Sequence, residues 1–452
     1  MGKLYVKTFG CQMNVYDSSR MCDLMATKGY TTTEDINEAD MVIINTCHIR
    51  EKAKEKIFSE LGRIKPVKQK KIDNGKYLVV VVAGCVAKAE GADIFKKMPI
   101  VDIVISGESY HKLPEMVDTI LENLNNDKKQ RIIDTDFYSQ EKFAMLPNAR
   151  KINGISEFVA IQSGCDKFCS YCVVPYTRGR EYSRPVEEII DEIKILLDQG
   201  VKEITLLGQN VDNYNGLDKN GKVTTLAELI YKIHDFDGLE RIRYMTSYPS
   251  QFGKDLIIAH RDLRKLMPFI HLPAQSGSNR TLKSMNRRYT RKQYLEKVNE
   301  IREYVPDAAL SSDFIVGFAG ETEEDFYETV SLVEEVKYSS SFSFKYSPRP
   351  NTVGIKLPNQ IPEDIKQKRL EILQNVLDQQ QIDFNVSCIG KTMPILVENK
   401  SENNKNLYFG RSPYLQAVMF DAEDNDNICG TIQNVKINEA NLRTLKGVLV
   451  KN

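Results

Sequence analysis

SGCDKFCSYCVVPYTRGRE, residues 163–181, places Cys165, Cys169 and Cys172 in a C-x-x-x-C-x-x-C run. A structural zinc site closes with four nitrogen or sulfur ligands. Three thiolates instead leave one iron of a cubane [4Fe-4S] cluster open to a ligand from outside the protein. The run therefore favours an iron–sulfur cluster with one open iron. A zinc knuckle completed by a distant fourth ligand is the alternative.

Length and composition limit what surrounds this run. A chain of 452 residues is too long for one ordinary core, and we expect about three domains. Lys plus Arg and Asp plus Glu both number 62, so a nucleic acid partner would have to be held by local basic patches. Nine cysteines, an odd number in a long chain, argue against a secreted disulfide framework and fit a reducing compartment.

The N-terminal sequence MGKLYVKTFG does not resemble a secretory leader, since no apolar segment follows a basic start. No stretch of about 18 consecutive apolar residues occurs that could cross a bilayer. We therefore expect a soluble, cytoplasmic protein without a membrane partner.

Residues 1–125 alternate short apolar runs with amphipathic stretches, which predicts a parallel sheet covered by helices on both faces. Cys11, Cys47 and Cys85 each come just after a predicted strand. Because the carboxyl ends of neighbouring parallel strands meet at one edge of a sheet, these cysteines are expected to converge and could ligate one cluster. Buried, inert cysteines are the alternative for any one of them alone.

The rest of the chain divides into three stretches. Residues 126–153 have little periodicity and are predicted to form a connection with one short strand near 131–134. Residues 154–382 contain six strands alternating with helices, which predicts a partial (β/α)6 barrel that is open on one side, followed by a long helix. Residues 383–452 break into short β-like pieces between turn residues, which is typical of a small antiparallel barrel. The fold class is therefore α/β with a C-terminal all-β domain.

Six short motifs accompany the cysteine run: TFGCQMN (8–14), NTCHIREKA (45–53), AGC (83–85), HLPAQSGS (271–278), SDFIVGFAGET (312–322) and YSPRP (346–350). Together they resemble the methylthiotransferase family of radical-SAM enzymes over nearly the whole chain. The resemblance implies an N-terminal domain with an auxiliary [4Fe-4S] cluster, a radical-SAM domain that binds a second cluster and S-adenosylmethionine, and a C-terminal TRAM domain. It assigns the auxiliary cluster to Cys11, Cys47 and Cys85, and the radical-SAM cluster to Cys165, Cys169 and Cys172.

Within this family, residues 12–14 and 49–51 resemble the branch that inserts a methylthio group at carbon 2 of N6-isopentenyladenosine 37 in tRNA. Sister branches that modify threonylcarbamoyl-adenosine in tRNA or a ribosomal-protein aspartate remain the alternative. Ala319 and His48 depart from the family's usual residues. The resemblance also implies the tRNA anticodon loop as substrate, an electron donor such as a flavodoxin-like protein, and a sulfur source.

Polar residues at the predicted barrel strand ends are candidates for contacts with S-adenosylmethionine. They could bond its ribose, amino and carboxylate groups, with Arg288 pairing with the carboxylate and Tyr171 packing by the adenine. A strand-end cap, a turn residue or plain core is the alternative for each. The strand-end candidates are Gln209, Asn210, Ser247, Gln275, Ser276 and Asp313.

RNA contacts are expected at local positive charges, because the chain has no general basic field. Neutralising phosphates with such groups would make binding depend strongly on salt. Three groups of basic residues are candidates: Arg178, Arg180 and Arg184 after the cysteine run, then Lys283, Arg287, Arg288, Arg291 and Lys292, and finally the basic residues of 63–76. The candidates that the sequence favours most are Arg178 and Arg180 after the cysteine run, and Lys391, Arg411 and Lys446 in the C-terminal domain.

Overall fold

The computed structural model describes residues 2–47, 51–126, 130–152, 154–422 and 427–450, with the backbone alone at 51–55 and 125. His48, Ile49 and Arg50, on which part of the branch assignment depends, lie outside these ranges. Within them, no helix is both long and apolar enough to cross a membrane.

Six parallel strands form the centre of the N-terminal domain. The strands are β1 Gly2–Phe9, β2 Tyr30–Thr32, β3 Met41–Thr46, β4 Val79–Ala83, β5 Ile103–Ile105 and β6 Ile132–Asp134. The helices are α1 Gln12–Ala26, α2 Glu51–Asp73, α3 Cys85–Glu90, α4 Asp93–Lys97 and α5 Leu113–Asn125. The spatial order is β2-β1-β3-β4-β5-β6. In β4, Val79 and Val81 pack into one apolar cluster and Val80 and Val82 into another, so both faces are covered as predicted.

The stretch 126–153 is more than the connection expected from sequence. Its strand β6 pairs with β5 and completes the N-terminal sheet. A short helix follows, α6 Ser139–Ala144. Lys142 on this helix is fully buried and donates to Glu108 Oε1 at 3.1 Å and to the Ser163 hydroxyl at 3.4 Å. The stretch therefore packs between the N-terminal domain and the barrel.

The central domain is an open arc of strands with helices on its outer face. Its strands are β7 Ser156–Ala160, β8 Gln162–Ser163, β9 Tyr182–Ser183, β10 Glu203–Leu207, β11 Asn215–Leu217, β12 Val223–Thr225, β13 Arg241–Met245, β14 Phe269–His271, β15 Ala309–Val316 and β16 Ser340–Lys345. Its helices are α7 Val174–Arg178, α8 Val186–Asp198, α9 Leu226–His234, α10 Lys254–Asp262, α11 Asn279–Ser284, α12 Arg291–Tyr304, α13 Glu323–Val336 and α14 Glu363–Val386.

Six of these strands confirm the predicted partial (β/α)6 barrel. They form two parallel sheets, β13-β10-β7 and β14-β15-β16, which a parallel bridge between Ile242 and Leu266 joins. The arc therefore follows chain order from β7 to β16. The pair β8 and β9 is antiparallel and flanks the cysteine run.

The inner face of the arc is partly filled by the other two domains. Near the carboxyl ends of β7 and β10, Ala160 and Leu207 pack against Met13 and Tyr16 of α1. At the opposite ends of the strands, Arg243 donates to the carbonyl oxygens of Ser412 and Pro413 in the C-terminal domain, at 2.9 and 2.8 Å. The N-terminal domain thus lies at the end of the arc where the cysteine run is found.

The C-terminal domain is a closed five-stranded barrel around one apolar cluster, consistent with a TRAM domain. Its strands are β17 Thr392–Lys400, β18 Leu407–Arg411, β19 Ala417–Asp421, β20 Ile432–Ala440 and β21 Thr444–Leu449. The expectation of a wholly antiparallel barrel is wrong in one pair, since β19 and β21 run parallel. The strand order explains this pair. In the barrel, β20 lies between β21 and β17, so no hairpin joins β19 to β21.

Candidate functional site

The three N-terminal cysteines follow three adjacent strands, as the sequence predicted. Cys11 precedes α1, Cys47 follows β3 and Cys85 begins α3, and their strands β1, β3 and β4 are neighbours in the sheet. The Cys11 Sγ lies 3.7 Å from Asn14 Oδ1. A hydrogen bond with Cys47 lowers the pKa of the Cys11 thiol to about 6, whereas burial raises the pKa of Cys85.

Gly10 makes this convergence possible. Its φ is +122°, and a Cβ at this position would lie 2.2 Å from the Cys47 Cβ. Glycine alone allows the backbone after β1 to pass so close to Cys47 without a side-chain clash. The close packing of residues 10 and 47 therefore holds two of the three cysteines together.

The second cysteine set lies in the loop between β8 and α7. Cys165 and Cys169 are buried and Cys172 is partly exposed. The Cys172 amide donates to the Cys169 carbonyl oxygen at 2.9 Å, which closes a turn around the last two cysteines. Desolvation raises the pKa of Cys165 to about 11 and that of Cys172 to about 12. Metal coordination would deprotonate both thiols.

Gly164 fixes the start of this loop. Its φ is +80°, and a Cβ there would lie 1.9 Å from the Arg180 carbonyl oxygen. The Gly164 amide also donates to Gln209 Oε1 at 2.6 Å. The loop is therefore tied to the end of β10, where the sequence predicted a cofactor contact.

The donor chemistry of both sites fits an iron–sulfur cluster. Among the described residues, no three His, Cys, Asp or Glu side chains are placed to hold a single metal ion. Each site instead offers three sulfurs, the set that leaves one iron of a cubane open. Buried polar atoms without a partner among the protein atoms lie at the strand ends beside the second site, namely Asn210 Oδ1, Ser247 Oγ and Gln162 Nε2. Buried polar groups need partners, and a polar cofactor would supply them.

Comparison with known proteins places this geometry in a family. Residues 3–106 match Uncharacterized protein family UPF0004, and residues 159–333 match the Radical SAM superfamily. A tRNA-2-methylthio-N(6)-dimethylallyladenosine synthase of Agrobacterium fabrum is 50% identical, covering 96% of this chain and 94% of that protein. A protein of the same name from Rickettsia conorii is 49% identical over 99% of both chains. The chain belongs to the tRNA-2-methylthio-N(6)-dimethylallyladenosine synthase family. It is an enzyme, and its radical-SAM domain implies S-adenosylmethionine and an iron–sulfur cluster as cofactors.

Solved structures support the fold assignment for this family member. TsrM, a radical S-adenosylmethionine methyltransferase from Kitasatospora setae, has a TM-score of 0.56 at 12% identity, with 90% of this chain and 80% of that chain covered. OxsB, a cobalamin-dependent S-adenosylmethionine radical enzyme, has a TM-score of 0.51 at 12% identity, with 84% of this chain and 56% of that chain covered. At this identity the likeness concerns the fold alone.

Three predicted cofactor contacts lie together at the ends of β10 and β13. Gln209 accepts from the Gly164 amide. Asn210 is buried and its Nδ2 donates to Gln251 Oε1 at 2.8 Å, while its Oδ1 has no hydrogen-bond partner among the described residues. Ser247 is buried, and its hydroxyl likewise has no partner in the described part of the chain. Contact of these three side chains with S-adenosylmethionine stays a prediction.

Three further predicted contacts lie at the strand ends of the second sheet. Gln275 is buried, and its backbone adopts the left-handed conformation with a φ of +71°. Its backbone amide donates to the Asp313 carbonyl oxygen at 2.9 Å. The Asp313 carboxylate is partly exposed, 3.6 Å from His271 Nε2. The Ser276 hydroxyl lies 3.1 Å from the Thr329 hydroxyl on α13, which directs it away from the inner face.

Contact of Tyr171 and Arg288 with S-adenosylmethionine also stays a prediction. Tyr171 is partly buried and packs beside an apolar cluster formed by Met285, Phe318 and Tyr346. Arg288 is exposed. Its neighbour Arg287, which the sequence grouped with the RNA contacts, is buried instead.

Arg287 lies beside the cysteine loop, a placement that the local sequence does not indicate. Its Nη1 lies 3.6 Å from Cys169 Sγ, and its Nη2 donates to the Pro273 carbonyl oxygen at 2.9 Å. The guanidinium also lies 4.2 Å from the centre of the Tyr248 ring. The guanidinium is therefore held beside the cysteine loop by a carbonyl oxygen and the rings of Tyr248 and Tyr289. Adjacent arginines look alike in sequence, and only the packing of Tyr248 and Tyr289 distinguishes Arg287 from Arg288.

The expectation that Arg178 contacts RNA is wrong. Its side chain is 2% exposed and pairs with Asp17 Oδ2 at 2.6 Å and Glu108 Oε1 at 3.3 Å. A guanidinium so placed is closed to phosphate. Arg180, two residues later, has an 82% exposed side chain 3.7 Å from Asp166, which leaves it available to RNA.

The C-terminal RNA candidates are accessible to different degrees. Lys391 is exposed. Lys446 is exposed and lies 3.6 Å from Glu439. Arg411 is partly buried, with its Nε 3.4 Å from Glu398, and its carbonyl oxygen accepts from Arg241 at the barrel contact.

Proposed function

We propose that this chain is a radical-SAM methylthiotransferase that inserts a methylthio group at carbon 2 of N6-isopentenyladenosine 37 in tRNA. The relatives' names support this substrate over those of the sister branches. The observation that carries the proposal is the pairing of two three-cysteine sites, each at the carboxyl ends of parallel strands, in domains that pack together there.

The two sites have separate tasks in this proposal. Carbon 2 of the adenine has no acidic proton and no leaving group, so the cofactors that Cys165, Cys169 and Cys172 would help to bind would supply the radical step that acid–base groups cannot. Residues of the loop from Ser163 to Arg178 would hold that cluster and orient the cofactor. Cys11, Cys47 and Cys85 would hold the auxiliary [4Fe-4S] cluster, which would supply the sulfur-transfer chemistry.

The inner face of β15 and β16 is suited to the substrate base. Asp313 pairs in register with Phe342, and Ile315 with Phe344, so these four side chains share one face. Lys345 bonds Gln367 of α14, which places the alternate residues of β16 on the outer face. Phe342 is 51% exposed and Phe344 is 37% exposed on the open inner face.

An aromatic wall at this place matches the chemistry of an isopentenylated adenine. The purine ring can stack on a phenyl ring, and the isopentenyl group can be buried against Phe342 and Ile315. Ile315 also packs in the cluster beside Tyr171, next to the cysteine run. We infer that the base, unstacked from the anticodon loop, lies along this wall with carbon 2 toward the strand ends.

The RNA backbone would be held by local charges. Arg180 lies beside the cysteine loop, while Lys391, Arg411 and Lys446 lie on the C-terminal barrel. An electron donor such as a flavodoxin-like protein and a separate sulfur source are further parts of the proposal. We also infer a cytoplasmic location, supported by nine cysteines that form no disulfide.

Mass spectrometry of tRNA nucleosides tests the substrate. Cells lacking the gene should lose the methylthio-isopentenyl nucleoside and accumulate the isopentenyl form, and restoring the gene should reverse both changes. Persistence of the methylthio-isopentenyl nucleoside would contradict the proposal.

Replacing Cys11, Cys47 and Cys85 together by Ala tests the division of tasks. The variant should keep one cluster and still cleave S-adenosylmethionine, but form no methylthio product. Cys429→Ala is the matched control, because this cysteine lies in the C-terminal domain away from both sites. Loss of both clusters in the triple variant would show that the two cysteine sets do not bind clusters independently.

A further inference from the structure

Arg178 connects the two cysteine sites through a buried contact between domains. It ends α7, which begins two residues after Cys172. Its Nη2 donates to Asp17 Oδ2 at 2.6 Å and to Asn14 Oδ1 at 3.3 Å, both on α1, and its Nη1 donates to Glu108 Oε1 at 3.3 Å. A side chain of the radical-SAM loop thus reaches into the N-terminal domain.

The same guanidinium lies against the auxiliary cysteines. Asn14 Oδ1, which accepts from Arg178, is also the partner of Cys11 Sγ at 3.7 Å. The helix α7, which Arg178 ends, packs against α3, which begins at Cys85. The arginine is therefore linked to Cys11 through one amide and lies on a helix that contacts the one carrying Cys85.

Arg178 belongs to a buried group of four balanced charges. Arg178 and Lys142 face Asp17 and Glu108 in a region that excludes water, so these four charges balance one another. Thiolates at Cys11, Cys47 and Cys85 would add negative charge beside them. A fixed cation close to a buried cluster favours the form with the extra electron, because charges interact strongly where water is excluded.

We propose that Arg178 is a positioning residue that ties the auxiliary cluster to the radical-SAM loop and raises the reduction potential of that cluster. The inference rests on the proposed function, since it requires a cluster at Cys11, Cys47 and Cys85. It replaces the expected RNA contact at this position with a role inside the protein.

Redox titration monitored by electron paramagnetic resonance tests the inference. The background is the full chain with Cys165, Cys169 and Cys172 replaced by Ala, reconstituted anaerobically, so that only the auxiliary cluster is observed. Arg178→Gln should lower the midpoint potential by at least about 59 mV, which corresponds to a tenfold change in the one-electron reduction equilibrium. Asp17→Asn, which removes the negative carboxylate beside the same guanidinium, should raise the midpoint potential.

Two variants serve as controls. Arg178→Lys keeps the positive charge and should shift the potential by less than the Gln variant. Arg184→Gln removes a buried arginine in the same segment that pairs with Glu192 instead, and should leave the potential unchanged. A purely structural disturbance would not move the potential in opposite directions in the Arg178→Gln and Asp17→Asn variants.

Shifts of the same sign, or no shift, in these two variants would overturn the inference. If Arg178→Gln does not fold, an unshifted potential in Asp17→Asn overturns it alone. If the background chain binds no iron, the proposed auxiliary site is wrong and the inference falls with it. A cluster that is present but insensitive to both substitutions refutes only the role of Arg178.

Discussion

Glu192 joins three parts of the chain, and its replacement by Gln should weaken their packing in a pH-dependent manner. This buried residue on α8 bonds Arg150 of the stretch 126–153, accepts from Arg184 Nη1 at 2.7 Å, and accepts from the Tyr16 hydroxyl of α1 at 3.3 Å. Burial alone would raise the pKa of its carboxyl group, but Arg184, Arg20 and Arg150 lower it to about 2.

The expected magnitude follows from this pKa. The ordinary value is 4.5, and each pKa unit corresponds to about 1.4 kcal/mol. Because the folded-state pKa is depressed, the stabilising contribution is present above about pH 4.5 and is lost as the pH falls toward 2. Glu192→Gln should therefore lower the free energy of unfolding by roughly 3 kcal/mol at pH 7.

Urea unfolding of the metal-free chain between pH 7 and pH 2.5 measures this difference. The difference in the free energy of unfolding between the natural protein and Glu192→Gln should become smaller as the pH falls below 4.5. Asp191→Asn is the matched control, because this neighbouring carboxylate on α8 is exposed. A gap that is absent, or that stays constant across this pH range, would refute the assignment of Glu192 as the buried anion of the contact.

Three other substitutions give measurable outcomes. Gly164→Ala places a Cβ against the Arg180 carbonyl oxygen, so the cluster loop should distort and bound iron should fall by about half; full iron content would contradict this. Arg243→Ala removes the closer of the two arginine partners of buried Glu203 and leaves only Arg241 at 3.9 Å; it also removes the bonds to Ser412 and Pro413, so limited proteolysis should release the C-terminal barrel faster, and an unchanged cleavage rate would argue against this contact. Arg180→Ala should reduce the slope of log affinity for tRNA against log salt by about 0.7, whereas an unchanged slope would remove Arg180 from the RNA surface.

Much of the fold follows from local sequence patterns. Continuous β-branched runs such as 79–82 have no polar face, so they require a sheet covered on both sides. The convergence of Cys11, Cys47 and Cys85 follows from that sheet, because their strands are neighbours.

Segment ends were less predictable, since tertiary contacts decide them. A proline usually marks a helix boundary, yet α2 continues through Pro66 to Asp73. Its continuation brings Lys68 to Asp102 at 2.5 Å, both buried, and this contact offsets the cost of the proline. The strand Tyr30–Thr32 has only three residues and carries too short a pattern to be recognised.

The roles of individual arginines were the least predictable part of the site. Arg178 and Arg180 are two residues apart in one basic segment, yet one is buried between domains and the other is exposed. Their difference depends on Asp17 and Glu108, which are distant in sequence. Local charge patterns do not contain such pairings, so the sequence alone does not separate a buried arginine from one that can contact RNA.

Iron and acid-labile sulfide content decides whether this chain binds two clusters. Anaerobically purified or reconstituted protein should contain roughly eight iron and eight sulfide per chain, since each of two cubanes holds about four of each. Content near four of each would mean that only one cysteine set binds a cluster, and a colourless protein with zinc and no iron would contradict both iron–sulfur sites.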